Sequence, residues 1–170
     1  VRQKKQSSMA VALDLLHAGE GDAVISAGST GALLTGATLK VKRIRGIRRA
    51  AMAPVLPNGG KGTVLIDCGA NVDCTPEYLL QFGYMGSFYS SKVLGVENPR
   101  VGLLSNGSED TKGTALCKEA HALLREAGEA GRLNFIGNVE GTDVFAGKAD
   151  VIVADGFSGN IMLKTAEGTI

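Results

Sequence analysis

The stretch VGLLSNGSEDTKG, residues 101–113, sets a short apolar run before a polar loop punctuated by Gly107 and Gly113. A brief apolar run bounded by turn residues reads as a buried strand, here residues 101–105. The residues that follow, 114–127, space their apolar side chains as a helix does, so the stretch is the hinge of a strand–loop–helix unit. The same grammar recurs outward in both directions. Upstream, Thr75-Pro76-Glu77 opens a long helix that runs to about residue 94, with proline in its first turn and an acid near its positive end. Before it, residues 51–56 and 63–67 read as two short strands around the turn Pro57-Asn58-Gly59-Gly60. Further upstream, residues 22–26 (DAVIS) read as a buried strand that feeds a helix over about 30–41. Ser7 or Ser8 caps a first helix to about residue 17. Downstream, residues 133–136 and 150–154 (DVIVA) are the last strands, and Ser158 or Asn160 starts a final helix through Lys164 and Glu167. Strands alternating with helices imply an α/β fold, a mostly parallel sheet covered on both faces.

Composition excludes several classes. The 170 residues can build one sizeable core. Lys+Arg 18 against Asp+Glu 17 leaves no global field for nucleic acid, and the chain has few aromatic residues and no Trp for base stacking. Three cysteines, Cys68, Cys74 and Cys117, form no CxxC, which suits a reduced cytoplasm. No run approaches the roughly 18 apolar residues of a membrane span. The absence of an initiator Met, and Ile170 falling inside an expected helix, read as one α/β core (1–170) within a longer chain.

The chemistry is expected at one edge. Five polar stretches follow expected strands: residues 26–31 (SAGSTG), 67–73 (DCGANVD), 105–113 (SNGSEDTKG), 137–141 (GNVEG) and 154–160 (ADGFSGN). The carboxyl ends of parallel strands form the ligand crevice, and helix starts there offer N–H groups to anions. One exposed helix terminus contributes only about 0.3–1 kcal/mol, whereas millimolar affinity needs roughly 4 kcal/mol. Two or three loops plus a cation, Lys112 or Lys164, suffice for phosphate, since charge-assisted hydrogen bonds supply about 1.5–3 kcal/mol each. Asp67 and Asp155, at strand ends, serve either a ligand or the capping of the next turn.

Named motifs fail. No GxGxxG follows a strand, and GGKGT lacks the phosphate-loop spacing. The stretch 156–160 (GFSGN) misses the nucleophile elbow by Asn160 at its last position. His17 and His121 both fall on expected helices away from the crevice edge, which argues against a Ser-His-Asp triad. Metal-ligand spacing is absent, and no cofactor is implied. Cys68 is either a thiolate nucleophile or, more commonly for its type, a buried structural thiol. The run Lys40, Lys42, Arg43, Arg45, Arg48 and Arg49 is either a solvated helix end or a dock for an acidic carrier or anionic lipid.

SSM near the start, ISAGSTGAL, LIDCGANVD, PEYLLQFGYMGSFYS, PRVGLLSNGSEDTKG, NFIGNVEG and VIVADGFSGNIMLKTAEG, in this order, resemble the phosphate acyltransferase of bacterial phospholipid synthesis, the PlsX family. The resemblance spans almost the whole chain. It implies a three-layer α/β/α fold similar to isocitrate and isopropylmalate dehydrogenases and phosphotransacetylases, and a homodimer. The implied activity moves a fatty acyl group from acyl carrier protein to inorganic phosphate. The acyl phosphate would pass to a membrane-bound glycerol-3-phosphate acyltransferase, with the enzyme cytoplasmic and peripheral to the membrane. The family's opening strand with its DxMGGD segment and its C-terminal helices are not among these residues.

On the matching loops, Lys112 is expected to face phosphate or oxyanion charge and Asn160 to orient the carbonyl or the phosphate. Ser29, Thr30, Asn106, Ser108 and Ser158 are expected to donate hydrogen bonds, and Asn71 and Asp155 to position those donors. Lys164 is a second candidate for the anion. Two other classes share these loops: a short-chain phosphotransacetylase using acyl-coenzyme A, and a non-catalytic module that binds phosphate or acyl phosphate.

Overall fold

The computed structural model describes residue 4 and residues 6–169. Its contacts divide the chain into two units, residues 1–50 and 51–170. The first unit holds two packed helices, α1 (Ser8–Ala18) and α2 (Thr30–Lys40). Ser7 Oγ caps α1 by accepting from Ala10 N–H, and Gly19 ends it in a left-handed turn, φ 77°. Ser29 caps α2 through Ala32 N–H. Lys40 and Asp14 form an ion pair between the two helices. The strand expected over residues 22–26 does not form, and Ile25 is 98% exposed. An apolar run becomes a strand only beside a sheet neighbour that takes its N–H and C=O groups, and the described part of this unit contains helices and loops alone.

The second unit is built on a five-stranded sheet of order β1-β2-β5-β3-β4. The strands are β1 (Val55–Leu56), β2 (Thr63–Ile66), β3 (Arg100–Leu104), β4 (Asn134–Val139) and β5 (Val151–Val153). Only β1 runs antiparallel, joined to β2 through the turn at Asn58, whose side-chain oxygen accepts from Gly60 and Gly62 N–H. The helices are α3 (Pro76–Val93), α4 (Ala115–Glu129) and α5 (Gly156–Thr169). Of the two expected strands in 51–67, the first shrinks to two residues: Pro54 accepts from Leu65 N–H but has no N–H to give back, and Met52 N–H turns to Asp67 Oδ1 instead of the ladder.

Alternation within the strands divides the core into two layers. Val64, Ile66, Val101, Leu103, Val151 and Val153 meet Leu79 and Phe82 of α3 and Leu124 of α4. Leu65, Ile152 and Ala154 point the other way, toward Val139, Val144 and the α5 residues Met162 and Leu163. The result is three layers, with α3 and α4 on one face and α5 on the other. At the amino edge, Arg100 grips Asp150: its Nε donates at 2.9 Å, its Nη2 at 3.0 Å and its backbone N–H at 2.8 Å. Burial raises the pKa of the Asp150 carboxyl, but the Arg100 bonds outweigh it and the net direction is downward. No helix among the described residues is long and apolar enough to cross a membrane.

α3 lies close on the sheet because Gly86 faces it, while Gly83 makes room for Leu124 of α4 and for Leu133. A Cβ at Gly86 would stand 2.5 Å from Val151 Cγ1 and 3.1 Å from Ile66 Cγ2. Alanine in a helix interior gains about 1 kcal/mol over glycine, whereas overpacking a tight core costs about 1–3 kcal/mol. The clash is with branched side chains of the central strands and should win. Gly86→Ala in the intact protein is expected to lower stability by about 1–2 kcal/mol, read as an earlier urea midpoint at unchanged m-value.

Candidate functional site

The carboxyl edge of the parallel strands carries the polar loops, and the loop after β2 is built around Asp67. This carboxylate is fully buried. Its Oδ1 accepts from the backbone N–H groups of Met52 (2.9 Å), Cys68 (2.8 Å) and Ala70 (3.2 Å). Its Oδ2 accepts from Asn71 N–H (2.7 Å) and Asn71 Nδ2 (3.0 Å). An ion taken out of water is tolerated only when donors replace its hydration, and five do so here. Asp67 therefore shapes the loop and has no lone pair left for a ligand.

Asp155, at the end of β5, caps α5. Its Oδ1 accepts from Phe157 and Ser158 N–H at 3.0 and 2.9 Å, and its Oδ2 accepts from Ser158 Oγ at 2.9 Å. The helix thus starts two residues earlier than expected, with Ser158 and Asn160 inside its opening turns. Gly156 N–H donates to Asn71 O at 2.8 Å. The first N–H groups of α5 are consequently occupied by protein acceptors, unlike the free anion cradle expected at this terminus.

The two loops interlock. Asn160 Nδ2 donates to Cys68 O at 3.2 Å. A Cβ at Gly156 would stand 2.5 Å from Asn71 O, and one at Gly159 would overlap the Asp67 carbonyl oxygen outright. The glycines that looked like a damaged nucleophile elbow are there so that α5 can press against the backbone of residues 67–71.

The loop after β3 differs. The side chains of Asn106, Ser108 and Lys112 are exposed and have no hydrogen-bond or ion-pair partner among the described residues. Asn106 and Ser105 border a cleft of about 510 Å³ whose other walls include Thr142, Phe145, Met162 and Thr165. Because β5 lies between β2 and β3, the α5 start and the Lys112 loop are neighbours on one sheet edge. No hydrogen bond joins Lys112 to Asn160 among the described residues.

The remaining candidates are placed as follows. Lys164 lies midway along α5, ion-paired with Glu167 at 2.6 Å. Ser29 caps α2 and Thr30 is that helix's first residue, both in the first unit. The expected loop 137–141 begins late, because β4 continues through Val139 and puts Asn138 on the strand, 4% exposed. His121, expected to lie away from the edge, contacts it from beneath: Nδ1 is 2.9 Å from Asn138 Oδ1 and Nε2 is 3.4 Å from Asp110 Oδ1. Its position three residues before Leu124, on the buried face of α4, was a signal available in the sequence.

Burial, aided by the Asp67 charge, pushes the Cys68 thiol up to about 11. Burial likewise pushes Cys74 up to about 11 against the Gly156 backbone hydrogen bond. Both stay protonated at neutral pH, and a fully buried thiol is no nucleophile.

Comparison with known proteins places the chain. The whole of residues 1–170 matches the model of the fatty acid synthesis protein family, and the chain belongs to that family. It is 50% identical over 169 residues to the phosphate acyltransferase of Thermoanaerobacterium thermosaccharolyticum and 52% identical over 168 residues to that of Clostridium acetobutylicum. Each match covers 99% of this chain and 50% of the relative, so the chain spans about half the length of these proteins. Among solved structures, the EutD phosphotransacetylase from Staphylococcus aureus matches with TM-score 0.68 and 23% identity. That match covers 91% of this chain and 53% of that one, and the likeness is one of fold.

Two outcomes are expected. Asp67→Ala strands four backbone N–H groups at the centre of the edge and should cost about 2–4 kcal/mol, measured by denaturant unfolding. The thiols give a pH signature. Their folded pKa lies above the ordinary 9.0, so their stabilising contribution is complete below pH 9 and is lost as pH rises toward 11. Replacing Cys68 and Cys74 together by Ala should flatten the fall in thermal midpoint across that window.

Proposed function

We propose that the protein containing this chain transfers a fatty acyl group from the thioester of acyl carrier protein to inorganic phosphate, releasing acyl phosphate for phospholipid synthesis. The observation that carries this reading is the division of labour at the sheet edge. The loops after β2 and β5 spend their donors on each other, while the loop after β3 keeps Asn106, Ser108 and Lys112 unspent beside a cleft with apolar walls. A phosphate seeks the unspent donors and the cation, and an acyl chain seeks the apolar walls. Family membership and the phosphate acyltransferase relatives support the same reaction class.

In this mechanism Lys112 neutralises phosphate and the developing oxyanion, with Asn106 and Ser108 donating to the phosphate oxygens. Asn160, held on Cys68 O, orients the thioester carbonyl or the phosphate from the neighbouring loop. Asn71 and Asp155 position that loop, and Ser158 supports it through Asp155. Phosphate attacks the carbonyl carbon, the C–S bond breaks, and the thiol leaves. Because a thiol of pKa near 8.5 departs readily, placement and charge stabilisation suffice and no strong general acid is needed. In the same reading the whole protein is a homodimer that associates peripherally with the membrane and hands acyl phosphate to a membrane-bound glycerol-3-phosphate acyltransferase.

The test is thiol release from long-chain acyl carrier protein by the full-length protein. Release should require phosphate and exceed that from acetyl-coenzyme A, and preference for acetyl-coenzyme A would replace the donor. Lys112→Ala should lower kcat/KM by roughly 2–4 kcal/mol of transition-state stabilisation. Wild-type turnover in that variant would remove Lys112 from the reaction.

A further inference from the structure

We propose that His121 is a positioning residue for the loop that carries Lys112, acting through Asn138; the inference rests on the phosphate acyltransferase reading for its catalytic consequence. The loop after β3 is exposed from Ser108 to Lys112, yet it is fastened from below by two side chains that are each 4% exposed. Asn138 Nδ2 donates to Glu109 O at 2.8 Å. The same carbonyl oxygen accepts Lys112 N–H at 3.0 Å. One acceptor therefore joins the buried strand end to the backbone of the lysine.

The orientation of each group follows from that bond. With its nitrogen committed to a carbonyl, Asn138 can offer His121 only Oδ1, so His121 Nδ1 carries the hydrogen and donates at 2.9 Å. The ring is held edge-on to Phe135, centroids 5.1 Å apart at 78°. Its Nε2 faces Asp110 Oδ1 at 3.4 Å, and Arg125 Nη1 approaches Asp110 Oδ2 at 3.6 Å. The loop is thus tied at Glu109 by Asn138 and at Asp110 by Arg125, since a ring with its hydrogen on Nδ1 turns a lone pair, not a donor, toward Asp110. Rotation of Asn138 would break both its bonds, so the His121 hydrogen bond adds to the Glu109 bond in holding that orientation.

A pair kept merely to satisfy two buried polar side chains would stabilise the fold without setting where Lys112 stands. Amide hydrogen exchange and kinetics on the full-length protein separate the two. His121→Phe keeps the ring and removes the donor; His121→Asn restores an N–H near the position of Nδ1, the atom that meets Asn138. In His121→Phe, exchange over residues 105–113 should quicken about tenfold while residues 67–73 stay unchanged. Its kcat for phosphate-dependent thiol release should fall about 10- to 100-fold with KM for the acyl donor within about twofold, as expected for a displaced catalytic group. His121→Asn should recover most of both. Uniform quickening at both loops, or unchanged exchange at 105–113, would overturn the proposal. Absence of phosphate-dependent release in the wild type would overturn the reaction instead, and the exchange data would still decide the anchoring.

Discussion

A carboxylate without water organises the carboxyl edge of this sheet. Asp67 follows the last residue of β2, where its side chain turns inward and meets five donors. Its ionised form is tolerable only while all of them stay in place, so the backbone from Cys68 to Asn71 is fixed by the need to solvate one buried charge. That fixed backbone is the surface on which α5 rests. Gly156 reaches Asn71 O, Gly159 passes the Asp67 carbonyl, and Asn160 hangs from Cys68 O. Remove the charge, and the start of α5 has nothing to register against.

With two loops locked together, the third is the one that the proposed function assigns to the ligand. The loop after β3 leaves its side-chain donors unspent and lies beside a cleft that mixes Asn106 and Thr142 with Phe145 and Met162. A site for a charged nucleophile and a long apolar chain needs both characters at one place. Rigidity is supplied by the interlock on one side and by the buried His121–Asn138 pair on the other. Donors held in position before substrate arrives stabilise a developing charge without reorganising at the moment of reaction.

The strand–loop–helix alternation of residues 63–169 was legible because apolar runs of strand length are followed by helix-opening residues, Pro76 and Glu77 in the first turn of α3 being the clearest case, although Thr75 itself makes no side-chain cap. Residues 22–26 looked like a strand for the same reason and are not one, since sequence supplies the apolar run but not the neighbouring ladder. β4 runs longer than its apolar core because Asn138 finds His121 and Glu109 as partners, a tertiary fact with no local trace. At the site, strand-end position showed which loops matter. It did not show that Ser158 would give its hydroxyl to Asp155, or that Lys164 would pair with Glu167. Cys68 was ambiguous by type, and its burial, with the Asp67 charge beside it, decides that it stays a thiol.

The central claim is that this edge works by placement, with no acyl group ever carried on the protein. A single-turnover experiment tests it most directly. Full-length protein is mixed in equimolar amount with long-chain acyl carrier protein in phosphate-free buffer, thiol release is followed, and phosphate is then added. The account predicts no release until phosphate arrives and one equivalent thereafter, with the acyl group recovered as acyl phosphate. A stoichiometric burst of thiol before phosphate, leaving the acyl group on the protein, would contradict it.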